Sequence, residues 1–199
     1  MSGAGLVLLH GRGSSARDIM ALVPLLGAGG LKLAAPEAPG QSWWPTSFLA
    51  PMARMEAPLA AGLATVERAV EGLGLPRDRV AVLGFSQGAC LALEYAARQG
   101  AGLGAVIGLS GGLVGTGDAP GEIHGHREKR MDYDTDLTGL RALVTCHEAD
   151  PHIPLVRARI SAEVLAGLGA EARFIAHPGP GHQPMPDGLA AAREILATL

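Results

Sequence analysis

The chain contains no long basic stretch, no apolar run of membrane-spanning length and only two cysteines. Each absence removes a class of function. A nucleic-acid surface needs a concentrated positive field. Here the formal net charge is −3, and the most basic segment, His126-Arg127-Glu128-Lys129-Arg130, carries an acid in its middle. A membrane helix needs about 18–20 consecutive apolar residues, and no run approaches that length. The opening Met1-Ser2-Gly3-Ala4 has neither the positive region nor the long apolar region of a secretory leader. Cys90 and Cys146 sit in apolar surroundings, which suits two buried thiols in a reducing compartment better than a disulfide. The expected setting is cytoplasmic, with no nucleic-acid and no membrane partner.

What is present reads as a globular chain. With 199 residues, 48% apolar and 18% charged, it can bury a sizeable core as one domain over residues 1–199. Short apolar runs alternate with longer segments of helical period. Strands are expected at Gly5–His10, Leu31–Ala35, Arg79–Leu83, Ala105–Leu109, Arg141–Cys146 and Ala172–Ala176. Helices are expected at Ala16–Leu26, Met55–Gly72, Gln87–Arg98, Leu155–Leu168 and Leu189–Leu199. Strands that are apolar throughout require a sheet covered on both faces, and their alternation with helices implies parallel strands joined by right-handed crossovers. The segment 111–138 is too long for a plain connector; it reads as a lid-like excursion or a mobile segment.

One short stretch concentrates the chemistry. Gly84-Phe85-Ser86-Gln87-Gly88 matches G-x-S-x-G, a strained strand-to-helix turn that lifts a serine above the sheet. The required context is there: RVAVL before it and an apolar-periodic helix after it. A serine hydroxyl needs a base, and the base needs an orienting carboxylate. In such sheets reactive groups gather beyond the carboxyl ends of the strands. The loops there hold His147-Glu148-Ala149-Asp150-Pro151 and His177-Pro178-Gly179-Pro180-Gly181-His182. The order Ser86, Asp150, His182 is the one this elbow uses. His182 is favoured over His177 because the glycines before it let the loop reach back. Asp150 is favoured over Glu148, Asp132, Asp134 and Asp136 because Pro151 fixes a turn that can aim it inward. His10 reads as structural. The glycines around Arg12 let its backbone N–H approach a ligand, so Arg12 and Gln87 are candidate oxyanion donors, in preference to a phosphate loop.

The segments LHGRGSS, APGQSWWPTSFLAP, GFSQGA, LSGGL, DPHIP and GPGHQP are spread along nearly the whole chain. Together and in this order they resemble the phospholipase/carboxylesterase family of α/β-hydrolases, the branch related to acyl-protein thioesterases and small bacterial carboxylesterases. The resemblance implies a three-layer α/β-hydrolase fold and an ester or thioester hydrolase. It implies Ser86 as nucleophile, His182 as base, Asp150 as orienter and oxyanion donors at Arg12 and Gln87. The chain departs from the family at its start, where relatives carry an extra strand pair before the His-Gly loop. The expected sheet is therefore minimal: six parallel strands in the order 2-1-3-4-5-6. The assembly is left open, with a homodimer one option.

Trp43, Trp44, Phe48, Leu49 and Met52 crowd one loop. Such side chains either plug the core or line a pocket. Trp43, Trp44 and Phe48, with Leu113 and Ile153 after strand ends, are the candidate substrate contacts; Val114 is a further one. The segments His147–His152 and His124–His126 are dense in potential metal ligands. The H-E-x-x-H pattern needs its histidines one helical turn apart; His152 comes one residue late, and Pro151 opposes a helix. Loop histidines in water are the adopted reading, with no metal and no cofactor. The expected activity is hydrolysis of small, short-chain carboxylic esters through an acyl-enzyme on Ser86. A thioesterase or lysophospholipase of long acyl chains would need a long apolar groove. A small-molecule receptor of low turnover is the alternative of another class, and the complete Ser-His-Asp set argues against it.

Overall fold

The computed structural model describes residues 3–115 and 133–199. Its strands are β1 (Gly5–Leu9), β2 (Lys32–Ala34), β3 (Val80–Phe85), β4 (Ala105–Leu109), β5 (Arg141–Ala149) and β6 (Glu171–Pro180). They form one sheet in the order β2-β1-β3-β4-β5-β6, every pair parallel. Among the described residues the α-helices α1 (Ala16–Met20), α2 (Met52–Gly72), α3 (Gln87–Gln99) and α4 (Leu155–Gly167) lie between strands, and α5 (Pro186–Leu196) follows β6. This is the α/β-hydrolase arrangement and the strand order that the sequence predicts.

Alternation along each strand feeds two cores. In β1, Val7 and Leu9 join Met55 and Leu59 of α2 and Leu91 of α3. Leu6 and Leu8 face the other way and join Ile19 of α1 and Ala191 and Leu196 of α5. Both faces being covered, neither set of residues can be polar, hence the unbroken apolar runs. The chain leaves β1 toward β2 and leaves β3 toward β4, in opposite directions. The crevice between β1 and β3 therefore opens at the carboxyl end of the sheet, where ligands bind in folds of this kind.

Several boundaries differ from the expected ones, for local reasons. α1 stops at Met20 rather than Leu26. Beyond it the chain makes tighter i→i+3 bonds, Ala21 N–H to Asp18 O and Leu22 N–H to Ile19 O, both 3.1 Å. Pro24 has no N–H to offer and bars the helix. α5 starts at Pro186 rather than Leu189, proline being well suited to a first helical turn. α2 starts at Met52, about one turn before the expected Met55. β5 and β6 run past Cys146 and Ala176 because their ladder continues through His147↔His177 and, across an irregularity, Ala149↔Pro180. That extension carries Asp150 and the loop bearing His182 above the rim. Residues 116–132, including His124, His126 and Asp132 and most of the expected excursion 111–138, lie outside the described residues.

Candidate active site

Between the last residue of β3 and the first of α3 stands Ser86 alone, so it turns strand into helix in one step. It does so at φ 55° and ψ −119°, a conformation that costs a residue with a side chain on the order of 1–3 kcal/mol. Its surroundings hold it there. Ser86 N–H donates to Leu109 O on β4, and Cys90 N–H donates to Ser86 O, both at 3.0 Å. A Cβ on Gly84 would lie 2.1 Å from Gly88 O, and one on Gly88 would lie 2.1 Å from Leu9 O. The two glycines thus let α3 approach β3 and β1 more closely than any side chain allows.

Three distant segments converge at this turn. His182 Nε2 lies 2.8 Å from Ser86 Oγ, and His182 Nδ1 lies 2.8 Å from Asp150 Oδ2. A carboxylate only accepts, so Nδ1 carries the proton and Nε2 presents its lone pair to the serine hydroxyl. Asp150 Oδ1 accepts from His152 N–H at 2.8 Å and from Ile153 N–H at 3.0 Å. Burial pushes the Asp150 carboxyl up, but the hydrogen bonds from His182, His152 and Ile153 outweigh it and leave it below the ordinary carboxylate value. Asp150 is therefore ionised at neutral pH. The expected rival base, His177, is buried away from Ser86, its ring edge-on to His147 at 5.2 Å. Glu148 accepts from Gly179 N–H at 3.3 Å instead of meeting a histidine.

The loop around His182 rests on His147, which the sequence reads as a loop histidine in water but which is a buried residue of β5. His147 Nε2 donates to Gln183 O at 3.1 Å. A Cβ on Gly181 would lie 2.5 Å from the His147 ring. His147 thus touches both chain neighbours of His182. Register explains it: β5 delivers His147 opposite His177 and Asp150 just beyond, on one strand end.

The pairing Leu9↔Gly84 sets the loop after β1 beside the serine turn. A Cβ on Gly11 would come 3.3 Å from Ser86 Cβ, so the backbone entering Arg12 runs directly along the nucleophile. The next two N–H groups are taken, Gly13 by Gln41 O at 2.8 Å and Ser14 by Gly11 O at 3.2 Å. Gln87 opens α3, a position whose N–H has no acceptor within the helix. His10 holds the loop: its Nε2 accepts from Ala38 N–H at 3.0 Å, so the proton is on Nδ1, which donates to Gly11 O at 2.7 Å. A ring locked this way is neutral, and the 3.8 Å approach of Glu37 to Nε2 is not an ion pair.

The model for the phospholipase/carboxylesterase family matches residues 29–199. The chain belongs to this family. A phospholipase/carboxylesterase from Dyadobacter fermentans superposes with a TM-score of 0.86 at 32% identity, over 98% of this chain and 90% of that one. Esterase PE8 superposes at 0.75 with 28% identity, over 99% and 93%. Acyl-protein thioesterase 1 of Gibberella zeae is 30% identical over 124 residues, 62% of this chain. That match spans 49% of the thioesterase, about half its length.

A cleft opens over the serine. Here the cleft is about 680 Å³ and is lined by Trp44, Phe48, Leu49, Cys90, His152 and Ile153 beside Ser86, His182 and Arg12. Trp44, Phe48 and Ile153 are where the sequence puts them. Trp43 and Leu113 are corrections, because neither lines the cleft. Trp43 turns into the core: its Nε1–H donates to His10 O and its N–H to Gln87 Oε1, both 2.9 Å. Leu113 is fully buried, its N–H donating to Ser161 Oγ at 2.8 Å and its carbonyl accepting from Arg157 Nη1 at 2.7 Å. Val114 is buried with it. Sequence reasoning also missed the Gln87 side chain. Its Oε1 holds Trp43 and its Nε2 donates to Trp44 O at 2.9 Å, so the helix that carries the serine turn also sets the aromatic wall.

Cys90 lines the cleft, yet burial pushes its thiol up to about 12, so it offers no thiolate to compete with Ser86. A wider groove of about 760 Å³ runs along Leu63, Glu67, Arg77 and Gln99 at the opposite, amino end of the strands. It is lined by no serine, cysteine or histidine, so its size does not make it the site. No helix among the described residues is long and apolar enough to cross a membrane.

Proposed function

We propose that the chain hydrolyses small, short-chain carboxylic esters through a covalent acyl-enzyme on Ser86. The observation that carries the reading is the pair of 2.8 Å contacts joining Ser86, His182 and Asp150. Ser86 Oγ attacks the ester carbonyl carbon while His182 Nε2 takes the hydroxyl proton. The carbonyl π-electrons move to oxygen, and that oxyanion accepts from the N–H groups of Arg12 and Gln87. One such donor is worth roughly 3–4 kcal/mol of barrier. The intermediate collapses, the bond to the alcohol oxygen breaks, and His182 gives that oxygen its proton. Water then attacks the acyl carbon with His182 again as base, releasing the acid and restoring Ser86. Asp150 stays ionised and steadies the imidazolium.

The cleft over Ser86, about 680 Å³ and walled by Trp44, Phe48 and Leu49, is of the size and apolar character of small-molecule sites. The likeness to acyl-protein thioesterase 1 favours a second reading, hydrolysis of longer acyl thioesters. p-Nitrophenyl esters of graded chain length, run beside a fluorophosphonate whose adduct is mapped by peptide mass, decide between them. The proposal expects the label on Ser86 and rates that fall with chain length. Rates that rise toward long chains select the thioesterase, and a label on another residue removes the assignment.

A further inference from the structure

Hydrolysis at Ser86 needs only the backbone N–H of Arg12; the Arg12 side chain takes no part in it. Yet Arg12 is exposed and lines the cleft over the serine. Its guanidinium is held. Nη1 donates to Pro45 O at 3.2 Å and Nη2 donates to Thr46 O, two carbonyls just before Ser47 and Phe48 of the cleft wall. Carbonyls fix a guanidinium but leave its positive charge whole, and these two occupy only part of its five N–H donors. Ser47 lines the same cleft. Its Oγ accepts from Leu49 N–H at 3.2 Å, which leaves the hydroxyl hydrogen free to donate.

Nothing in the cleft balances that charge. Among the described residues no carboxylate lines it. Asp150 stands behind His182, its side chain fully buried and its oxygens taken by His182, His152 and Ile153. Asp18 and Glu37 contact the residues that follow Arg12, and both are engaged there. Asp18 accepts from the hydroxyls of Ser14 at 3.1 Å and Ser15 at 2.7 Å, and Glu37 accepts from Ala16 N–H at 2.9 Å. The cleft thus presents a fixed cation and a hydroxyl donor beside an apolar wall. A cleft lined by one sign of charge gathers molecules of the other sign.

Resting on the serine-esterase reading, we propose that the esters this cleft prefers carry a carboxylate, which the Arg12 guanidinium holds while the Arg12 N–H receives the oxyanion. One residue then grips the substrate at two points, its backbone at the reacting carbonyl and its side chain at the charged group, separated by the reach of an arginine. The two oxygens of a carboxylate match the planar fork of a guanidinium, and the Ser47 hydroxyl adds a donor beside it. The molecules so selected are small half-esters of dicarboxylic acids or acylated hydroxy acids. Trp44, Phe48 and Leu49 cover the methylene groups between the two ends. A carboxylate is strongly hydrated, so apolar walls reject it unless a cation receives it. Preference for the charged ester over its neutral counterpart is therefore the signature.

The test compares kcat/KM within two matched pairs, monomethyl adipate against methyl hexanoate and γ-acetoxybutyrate against butyl acetate. The members of a pair differ only in ending in a carboxylate or a methyl group. The first pair puts the charge on the acyl side, the second on the alcohol side. Acid release is followed by titration at about pH 8, where an ordinary imidazole is neutral. The wild type is expected to favour the charged ester by about tenfold or more in one pair, the lower end for a hydrogen bond to a charged group. The pair that shows it tells which side of the ester faces Arg12. Arg12→Gln is expected to bring that ratio to about one or below. Each ratio is taken within one variant, so damage to the oxyanion loop affects both esters and cancels. Arg12→Lys keeps the charge without the fork: a retained ratio assigns the preference to charge, a lost one to the fork, and either places the carboxylate on this side chain. Ratios near or below one in both wild-type pairs overturn the proposal. So does a ratio that survives Arg12→Gln, which makes the side chain only a brace for Pro45 and Thr46. Fluorophosphonate labelling keeps the underlying reading separate: Ser86 labelled with flat ratios removes only the Arg12 assignment, whereas Ser86 unlabelled removes the esterase reading.

Discussion

Ser86 and Ser110 close neighbouring strands in the same way. Both follow the last residue of a strand, and both sit at φ 55°. Each passes its N–H to the next strand along, Ser86 to Leu109 O at 3.0 Å and Ser110 to Thr145 O at 2.9 Å. There the likeness ends. Ser86 leads into an eleven-residue run of buried helix, Gln87–Ala97, and turns its hydroxyl to a histidine at the mouth of a cleft. Ser110 leads into Gly111 and Gly112, which pass under the structure: a Cβ on Gly111 would lie 2.5 Å from Ala89 Cβ, and one on Gly112 would lie 2.8 Å from Arg157 Cγ. Ser110 is 1% exposed, and its hydroxyl meets no partner among the described residues. Backbone strain therefore marks a corner of the sheet. Access and an adjacent base are what separate a nucleophile from a corner.

The sharpest break of that comparison is to remove each hydroxyl. Ser86→Ala is expected to lower kcat by about six orders of magnitude, by analogy with another serine hydrolase. Ser110→Ala should leave kcat within about twofold, since its oxygen reaches neither substrate nor base. Steady-state rates on p-nitrophenyl acetate measure both, and a comparable loss in the two variants would mean that strain and not the imidazole contact is what matters. Next in size is Asp150→Asn, expected to cost on the order of 10⁴ in kcat, because an amide no longer fixes the proton on Nδ1. That variant also has a stability signature. The folded carboxyl titrates below its unfolded value, so its contribution is complete above about pH 4 and is lost as pH falls through the folded value. Urea midpoints should decline more steeply with acid in the wild type than in Asp150→Asn.

The same contrast shows what the chain could and could not disclose beforehand. Ser86 was legible because G-x-S-x-G needs a strand before it and a helix after it, and both have periods that read locally. The placements of Asp150 and His182 were legible because each follows an apolar strand run by a few residues, and strand ends share one rim. Trp43 and Trp44 were not separable: adjacent residues on an irregular loop have no period, and their fates are set by the Gln87 side chain gripping the backbone of both. Leu113 misled because position after a strand does not reveal whether the chain rises over the rim or dives beneath it. The far ends of β5 and β6 were invisible as strands because His177, Gly179 and Pro180 look like loop, while the pairing of His177 and Pro180 with β5 holds the chain in the sheet across an irregularity that Gly179 turns at φ 75°. The contact between His152 and His182 joins residues 30 positions apart, which no local pattern encodes.

A smaller perturbation tests why only one corner became an elbow. Gly88 lies against the carbonyls of Leu9 and His10, with a would-be Cβ at 2.1 and 2.6 Å from their oxygens. Backbone cannot swing away as a side chain can, so Gly88→Ala must push α3 off β1. A cost of about 3–5 kcal/mol is expected, the range of severe core overpacking and strain. Thermal unfolding measures it, and a cost under about 1 kcal/mol would show that the close approach is dispensable.

The smallest effect, and the one with the opposite sign, belongs to Ser110. Two separate costs meet there. Its φ of 55° is unfavourable for any residue bearing a Cβ, and its buried oxygen has no hydrogen-bond partner among the described residues. Ser110→Ala keeps the first cost and removes the second, so it should stabilise the fold by about 1 kcal/mol, the lower end of what an unsatisfied buried group costs. Ser110→Gly removes both, but glycine loses more backbone freedom on folding, by roughly 0.5–1 kcal/mol. Relief of strain, on the order of 1–3 kcal/mol, equals or exceeds that loss, and the glycine variant should be at least as stable as the alanine variant. Urea midpoints at unchanged slope read both differences. A destabilised alanine variant would mean that the Ser110 hydroxyl is bonded after all, and the two corners would then differ less in chemistry than in which of them a base can reach.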